Sequence, residues 1–350
     1  MGAGVRAKLA KLSHVTGLMP VLGRLRMAQQ DELRILAYHR ILDSSDPPGF
    51  NFDVELISAT RRDFRKQMQW VKRHFHPMRF EEVLSYMDAG RRLPPRAVLV
   101  TFDDGYDDNY HVAYPILREL DMSAMFFVST GYIDSGLPYA YDWLVFMICT
   151  TAAPMLRAPE LERDWPLTDS LGQRRTVANE VLSRLKSLQA VDQLALIGRL
   201  EEEWGMPRAS GHDDCRPMTW DQLREMRRGG MEIGSHGVNH CMLAKLPLQD
   251  MHYEVSASKQ ALERELEEPV HVISYPVGGD DAFDDEVIDA VRQAGYRLGC
   301  SYVSQVAQLR PDNAYALPRL HVERDMDPVR VEAVITWPEV FGFSTPQKKR

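Results

Sequence analysis

The run Ala97-Val98-Leu99-Val100-Thr101-Phe102 ends abruptly in Asp103-Asp104-Gly105-Tyr106, and this junction constrains the fold more than any other part of the chain. Consecutive apolar and β-branched residues mark a strand buried on both faces, as in a parallel sheet covered by helices. Ligand sites of α/β sheets lie at the carboxyl ends of their strands, so the two acids stand where an active site belongs. Neighbouring carboxylates repel unless a cation or a shared proton separates their roles. A metal held by one Asp, with the other handling a proton, meets that need. A solvated Asp-Asp-Gly turn is the competing reading.

Around this junction, strand and helix patterns alternate. Leu33 to Tyr38 reads as a first strand ending in His39-Arg40, and Ala124 to Ser129 as another buried one. Met231 to Ser235 runs into His236, Val270 to Tyr275 runs into Pro276-Val277-Gly278, and two further strands cover Tyr296 to Cys300 and Ala316 to Val322. Helical spacing recurs over 62–72, 80–87, 113–120, 248–267 and 285–294. Thr219 caps a helix over 220–228 that ends at Gly229-Gly230. Between about 132 and 217 no convincing buried strand is found, whereas Val177, Val181, Leu185, Leu188, Leu194, Ile197 and Leu200 fall at helical spacing. This stretch is expected to be a helical insertion over one face. The count is about seven strands in βα order, within one domain over 31–340.

A chain of 350 residues, 44% hydrophobic and 26% charged, can bury a large core. Its formal net charge of −8 argues against a nucleic-acid partner. Cys149, Cys215, Cys241 and Cys300 form no CxxC pair, which points to free thiols. Residues 1–30 carry Arg6, Lys8, Lys11, Arg24 and Arg26 and no acid. Their apolar stretch is short, interrupted by Gly17 and Pro20, and without a clear cleavage site, so neither a signal peptide nor a membrane span is expected. A cytoplasmic location is the expectation, with peripheral contact to the inner membrane face as an option for the basic segment. Residues 341–350 are expected to be a disordered tail.

His236-Gly237-Val238-Asn239-His240 is the second informative feature. Two histidines four apart on one helical turn point the same way, a spacing that chelates transition metals. The pair follows a strand, which brings it to the same face as Asp103 and Asp104. A His2Asp set with open positions for water suits a hydrolytic zinc or related divalent site.

The order Thr-Phe-Asp-Asp-Gly, Ser-His-x-x-x-His, Tyr-Pro-x-Gly resembles the polysaccharide deacetylase (NodB-homology, carbohydrate esterase four) family, over about Leu33 to Val322. Tyr38-His39-Arg40 and the large insert resemble members associated with bacterial exopolysaccharide biosynthesis. The resemblance implies a distorted (β/α)7 barrel with a helical insertion. It also implies a divalent metal, zinc before others, on Asp104, His236 and His240, with Asp103 as general base. Metal-bound water would attack the acetamide, a backbone N–H in the Pro276-Val277-Gly278 turn after Tyr275 would hold the oxyanion, and His321 would protonate the leaving amine. His39 is expected to line the pocket.

Four departures accompany the resemblance, one of them the lack of a good counterpart to the family's Asp-containing fourth motif. Ser274 stands where the family usually has an arginine beside the base, leaving Arg319 or Arg40 to replace it. Val277 stands in place of a tyrosine, and Gly237 in place of a hydroxyl residue. The implied function is therefore removal of N-acetyl groups from amino sugars of a polysaccharide or glycan precursor. Hydrolysis of another non-peptide C–N bond, a formamide or cyclic amide, is the first alternative. A degenerate glycan-binding protein is the second.

Overall fold

The computed structural model describes residues 32–342, and the basic segment 1–30 lies outside them, as does the tail from 343 onward. Seven parallel strands form the barrel wall of a nine-stranded sheet, whose other two members are the short His76–Pro77 and the antiparallel Ala307–Gln308. The seven are β1 (Glu32–Tyr38), β2 (Ala97–Phe102), β3 (Met125–Val128), β4 (Glu232–Ser235), β5 (Val272–Ser274), β6 (Leu298–Cys300) and β7 (Leu320–His321). Their spatial order from β6 to β1 follows the chain in reverse. The segment leading into β7 closes the ring. Leu317 bridges Cys300 at the end of β6, and Leu320 and His321 then pair with Leu36 and Ala37 of β1. The result is a curled, distorted barrel of seven strands, as the sequence implied. Closure by so short a β7 is why the longer strand expected over 316–322 is largely irregular.

Helices cover the sheet because their apolar stripes match its buried faces. In Arg61–His74 the stripe is Phe64, Met68 and Val71, and the N-cap Thr60 accepts from Asp63 N. Thr219 forms the expected capping box at Trp220–Arg228, which ends at Gly229. Two short ladders were not anticipated. Arg40–Leu42 pairs with Ile57–Thr60, and His76–Pro77 adds to the edge of β2.

The insertion holds helices Thr130–Ser135, Ala140–Thr150, Leu171–Leu185 and Ala190–Glu203 around an apolar cluster of its own. It also contains an antiparallel pair, Met155–Ala158 with Arg163–Pro166, in which buried and exposed residues alternate. All four cysteines are buried and free. Among the described residues no helix is long and apolar enough to cross a membrane. Helix Pro338–Phe341 packs Phe341 into the main core, so ordered structure reaches the first residues of the expected tail.

Candidate active site

Asp103 and Asp104 follow β2 directly, and both are buried. Asp103 N donates to Tyr38 O at 2.9 Å, which continues the β1–β2 register and sets His39 beside the acids. Asp104 then turns into the left-handed region (φ 73°), followed by Gly105 (φ 82°). A Cβ at Gly105 would lie 2.7 Å from Val128 Cγ1, so only glycine lets the chain leave β2 this way. The reversal points the two carboxylates in different directions.

Asp104 faces the histidines. Its Oδ1 lies 3.3 Å from His236 Nε2 and 3.1 Å from His240 Nε2, and all three ligand atoms are within 4.8 Å of one another. The donor set fits a divalent cation on two observations. Asp104 Oδ1 is buried without a well-formed hydrogen bond. His236 Nδ1 contacts the Ser274 carbonyl at 2.7 Å; a carbonyl only accepts, so Nδ1 carries the proton and Nε2 presents a lone pair. One carboxylate oxygen and two imidazole nitrogens form a set that suits zinc and leaves further positions open.

The two histidines do not share a helical turn. Residues 236–240 form a loop in which Gly237 (φ 77°) and His240 (φ 55°) are left-handed. The expected convergence is reached by a different backbone, because a Cβ at Gly237 would lie 2.9 Å from Glu254 Oε2. This contact accounts for the absent hydroxyl residue.

Asp103 faces Arg319. The guanidinium donates Nη1 to Oδ1 at 2.7 Å and Nη2 to Oδ2 at 2.6 Å, and Nη2 also reaches Ser274 Oγ at 2.9 Å. Both partners are buried. Burial alone raises the Asp103 carboxyl, but the guanidinium outweighs it and holds the pKa below the usual range. Arg319 thus occupies the place beside Asp103 that Ser274 leaves open, while Arg40 is committed to Asp108 at 2.9 Å. Asp108 anchors Arg40 and also accepts from Ile41 N.

A cavity of about 310 Å³ opens above these groups, within the range of small-ligand sites. His39, Val277, Tyr302 and Glu323 line its barrel side, and Tyr139, Tyr141, Asp142 and Lys186 reach it from the insertion. Val277 is left-handed (φ 64°), a costly state for a β-branched residue, and its N–H makes no hydrogen bond to the described residues. Tyr275 points the other way: its ring stacks on Phe283 in the core and its hydroxyl donates to Tyr315 O. His321 is buried with its ring stacked 3.5 Å from Tyr302, Nε2 has no hydrogen-bond partner, and it does not line the cavity. Burial and the nearby Arg319 push it down to about 3. Glu323, pushed up to about 7 by burial and the adjacent Asp325, was not singled out from the sequence. Neither were Tyr139, whose hydroxyl donates to the Asp104 carbonyl, and Lys186, because nothing local marks an insertion residue as facing a distant strand end.

Asp142 lies deeper in the cavity wall, where Tyr106 donates to Oδ2 and burial pushes the carboxyl up to about 7. A raised pKa means that its contribution to stability is complete below about pH 4 and is lost as pH rises through about 7. Asp142→Asn should therefore gain on the wild type as pH rises from 5 to 8, by an amount on the order of a few kcal/mol. Urea midpoints at the two pH values measure this, and a constant difference between the proteins would contradict it.

Comparisons with known proteins show the family and the fold. A family model described as polysaccharide deacetylase matches residues 90–299. The polysaccharide-deacetylase-like protein YxkH of Bacillus subtilis is 22% identical over 296 residues, 84% of this chain and 73% of its own. The poly-beta-1,6-N-acetyl-D-glucosamine N-deacetylase of Staphylococcus epidermidis is 29% identical over 107 residues, 29% of this chain and 37% of its own length. Among solved structures, the Streptococcus pyogenes deacetylase PplD in complex with acetate superposes with a TM-score of 0.55 at 21% identity, covering 85% of this chain and 95% of that one. IcaB from Ammonifex degensii gives 0.55 at 19% identity, covering 88% and 97%.

Proposed function

We propose that this chain, which belongs to the polysaccharide deacetylase family and is a hydrolase acting on carbon–nitrogen bonds of acetylated sugars, removes N-acetyl groups from amino sugars of a polysaccharide or glycan precursor. The observation that carries the reading is the division of the acid pair. Asp104 turns to two imidazoles with an unsatisfied oxygen, while Asp103, clamped by Arg319, stands beside them at the cavity floor. The staphylococcal relative's poly-N-acetylglucosamine supports an N-acetylglucosamine substrate.

Asp104, His236 and His240 would hold the metal, with zinc the best match to their donors. When bound, such an ion polarises an acetamide carbonyl and acidifies water. Asp103 remains a carboxylate across neutral pH and accepts the proton of the attacking water. Val277 N–H donates to the carbonyl oxygen as negative charge develops there. For the leaving amine, the cavity favours His39 over the His321 expected from sequence, because His39 lines it and His321 does not.

Arg319 beside the base also bears on the other readings, since a protein that only binds glycan gains nothing from a buried arginine orienting a base. The test is acetate release from N-acetylglucosamine oligomers, with a formamide of the same sugar in parallel. Release is expected from wild type, to be abolished by a chelator and restored by zinc or another divalent ion. Turnover unaffected by exhaustive chelation would refute the metal role, and preference for the formamide would establish the first alternative.

A further inference from the structure

We infer that Glu254, on the buried face of helix Leu248–Leu266, is the positioning residue that fixes the metal-binding loop between His236 and His240. The inference rests on the metal reading above and extends it to a residue outside the donor set. Glu254 is 3% exposed and has no Lys, Arg or His within ion-pair distance among the described residues. Its charge is met by the loop instead. Oε2 accepts from Val238 N at 2.7 Å and Asn239 N at 2.9 Å, and Oε1 accepts from Asn239 Nδ2 at 2.7 Å. A buried carboxylate is tolerated only when its oxygens are satisfied, and three hydrogen bonds to an ionised acceptor are each stronger than neutral ones.

The opposite polarity of the loop is satisfied from its other side. Ser129 Oγ donates to His236 O at 2.9 Å, Thr130 N to Gly237 O at 3.1 Å, and Gly131 N to Val238 O at 2.9 Å. The loop's carbonyls are thus held by the start of helix Thr130–Ser135 and its N–H groups by Glu254. These residues belong to no helix or strand of their own, and His240 sits in the left-handed region. Removing the carboxylate frees two backbone N–H groups between the two ligands and lets His240 move relative to His236. A metal site tolerates errors of only about 0.5 Å in its donors. Gly237 belongs to the same device, because any side chain there would displace Oε2.

The test is the dissociation constant for zinc, measured by competition with a chromophoric chelator on the full chain. Glu254→Gln is expected to weaken binding by about 10-fold to 100-fold, the usual loss when an outer partner of a metal site is removed. The matched control is Glu232, another buried glutamate, which accepts two backbone N–H groups, Phe80 N at 2.8 Å and Glu81 N at 2.9 Å, at the other end of β4. Glu232→Gln should lower the melting temperature while leaving the zinc constant unchanged. A milder variant, Asn239→Ala, removes one of the three bonds and should weaken zinc in the same direction even if Glu254→Gln fails to fold. Should the double variant Glu254→Gln/Asn239→Asp, which reverses the polarity of the side-chain bond, recover affinity over the single one, the role is positional. Wild-type affinity in both Glu254→Gln and Asn239→Ala, or equal weakening by Glu232→Gln, overturns the inference alone. A wild type that binds no divalent ion overturns the metal reading with it.

Discussion

Replacing Arg319 with alanine is expected to destabilise the protein by about 3–5 kcal/mol and to abolish turnover, because it strands the Asp103 charge in a buried site. Without the guanidinium, burial dominates and drives the Asp103 pKa upward. The native state then binds a proton that it now excludes. In the wild type the lowered pKa stabilises the fold above the ordinary carboxylate range, and that contribution is lost as pH falls through the lowered value. Arg319→Lys keeps a cation but not the two-pronged geometry, so its acidic limb of activity should move to higher pH while the fold survives. The sharper variant is the exchange Ser274→Arg/Arg319→Ser, which returns the arginine to its usual family position. Ser274 Oγ already lies 2.9 Å from Arg319 Nη2, so a side chain at 274 approaches the same carboxylate from the end of β5. Partial recovery of both stability and turnover relative to Arg319→Ser is expected. Denaturant midpoints and acetate release measure the two, and full activity in Arg319→Ala would refute the pairing.

That arginine also marks the limit of what the sequence discloses. The run ending in Asp103 and Asp104 was legible because an apolar strand interrupted by acids is a local pattern, and the loop after β4 was legible for the same reason. Arg319 was only one of two candidates, since its distance from Asp103 depends on barrel closure through Leu317 and β7, a relation between strands far apart in sequence. A guanidinium in the apolar stretch Leu317-Pro318-Arg319-Leu320 was the available signal. His236 and His240 were assigned to the site on a helical spacing that the chain does not adopt. The contact between Gly237 and Glu254 that shapes the loop joins different elements and leaves no periodicity to read. The same holds for the cavity wall, where Tyr139, Asp142 and Lys186 come from an insertion whose own core is legible but whose docking is not.

Asp103→Asn should reduce kcat by about 10²–10⁴-fold while leaving metal content intact, because the amide cannot accept a proton and the donors of the metal site are untouched. Separating this base from the acid requires a substrate whose leaving group needs no proton. On an activated acetyl ester such as 4-nitrophenyl acetate, water must still be deprotonated, so Asp103→Asn remains impaired. The phenolate departs unaided, so a residue that only protonates the leaving group becomes dispensable. His39→Gln is accordingly expected to lose activity on the acetamide and to retain most of it on the ester. His321→Gln should affect both substrates alike and mainly through stability, since its ring is buried against Tyr302 and is not among the groups that line the cavity. If His321→Gln shows the substrate-dependent loss and His39→Gln does not, the proton comes from the last strand after all. The stacked imidazole would then have to turn out of its burial to deliver it.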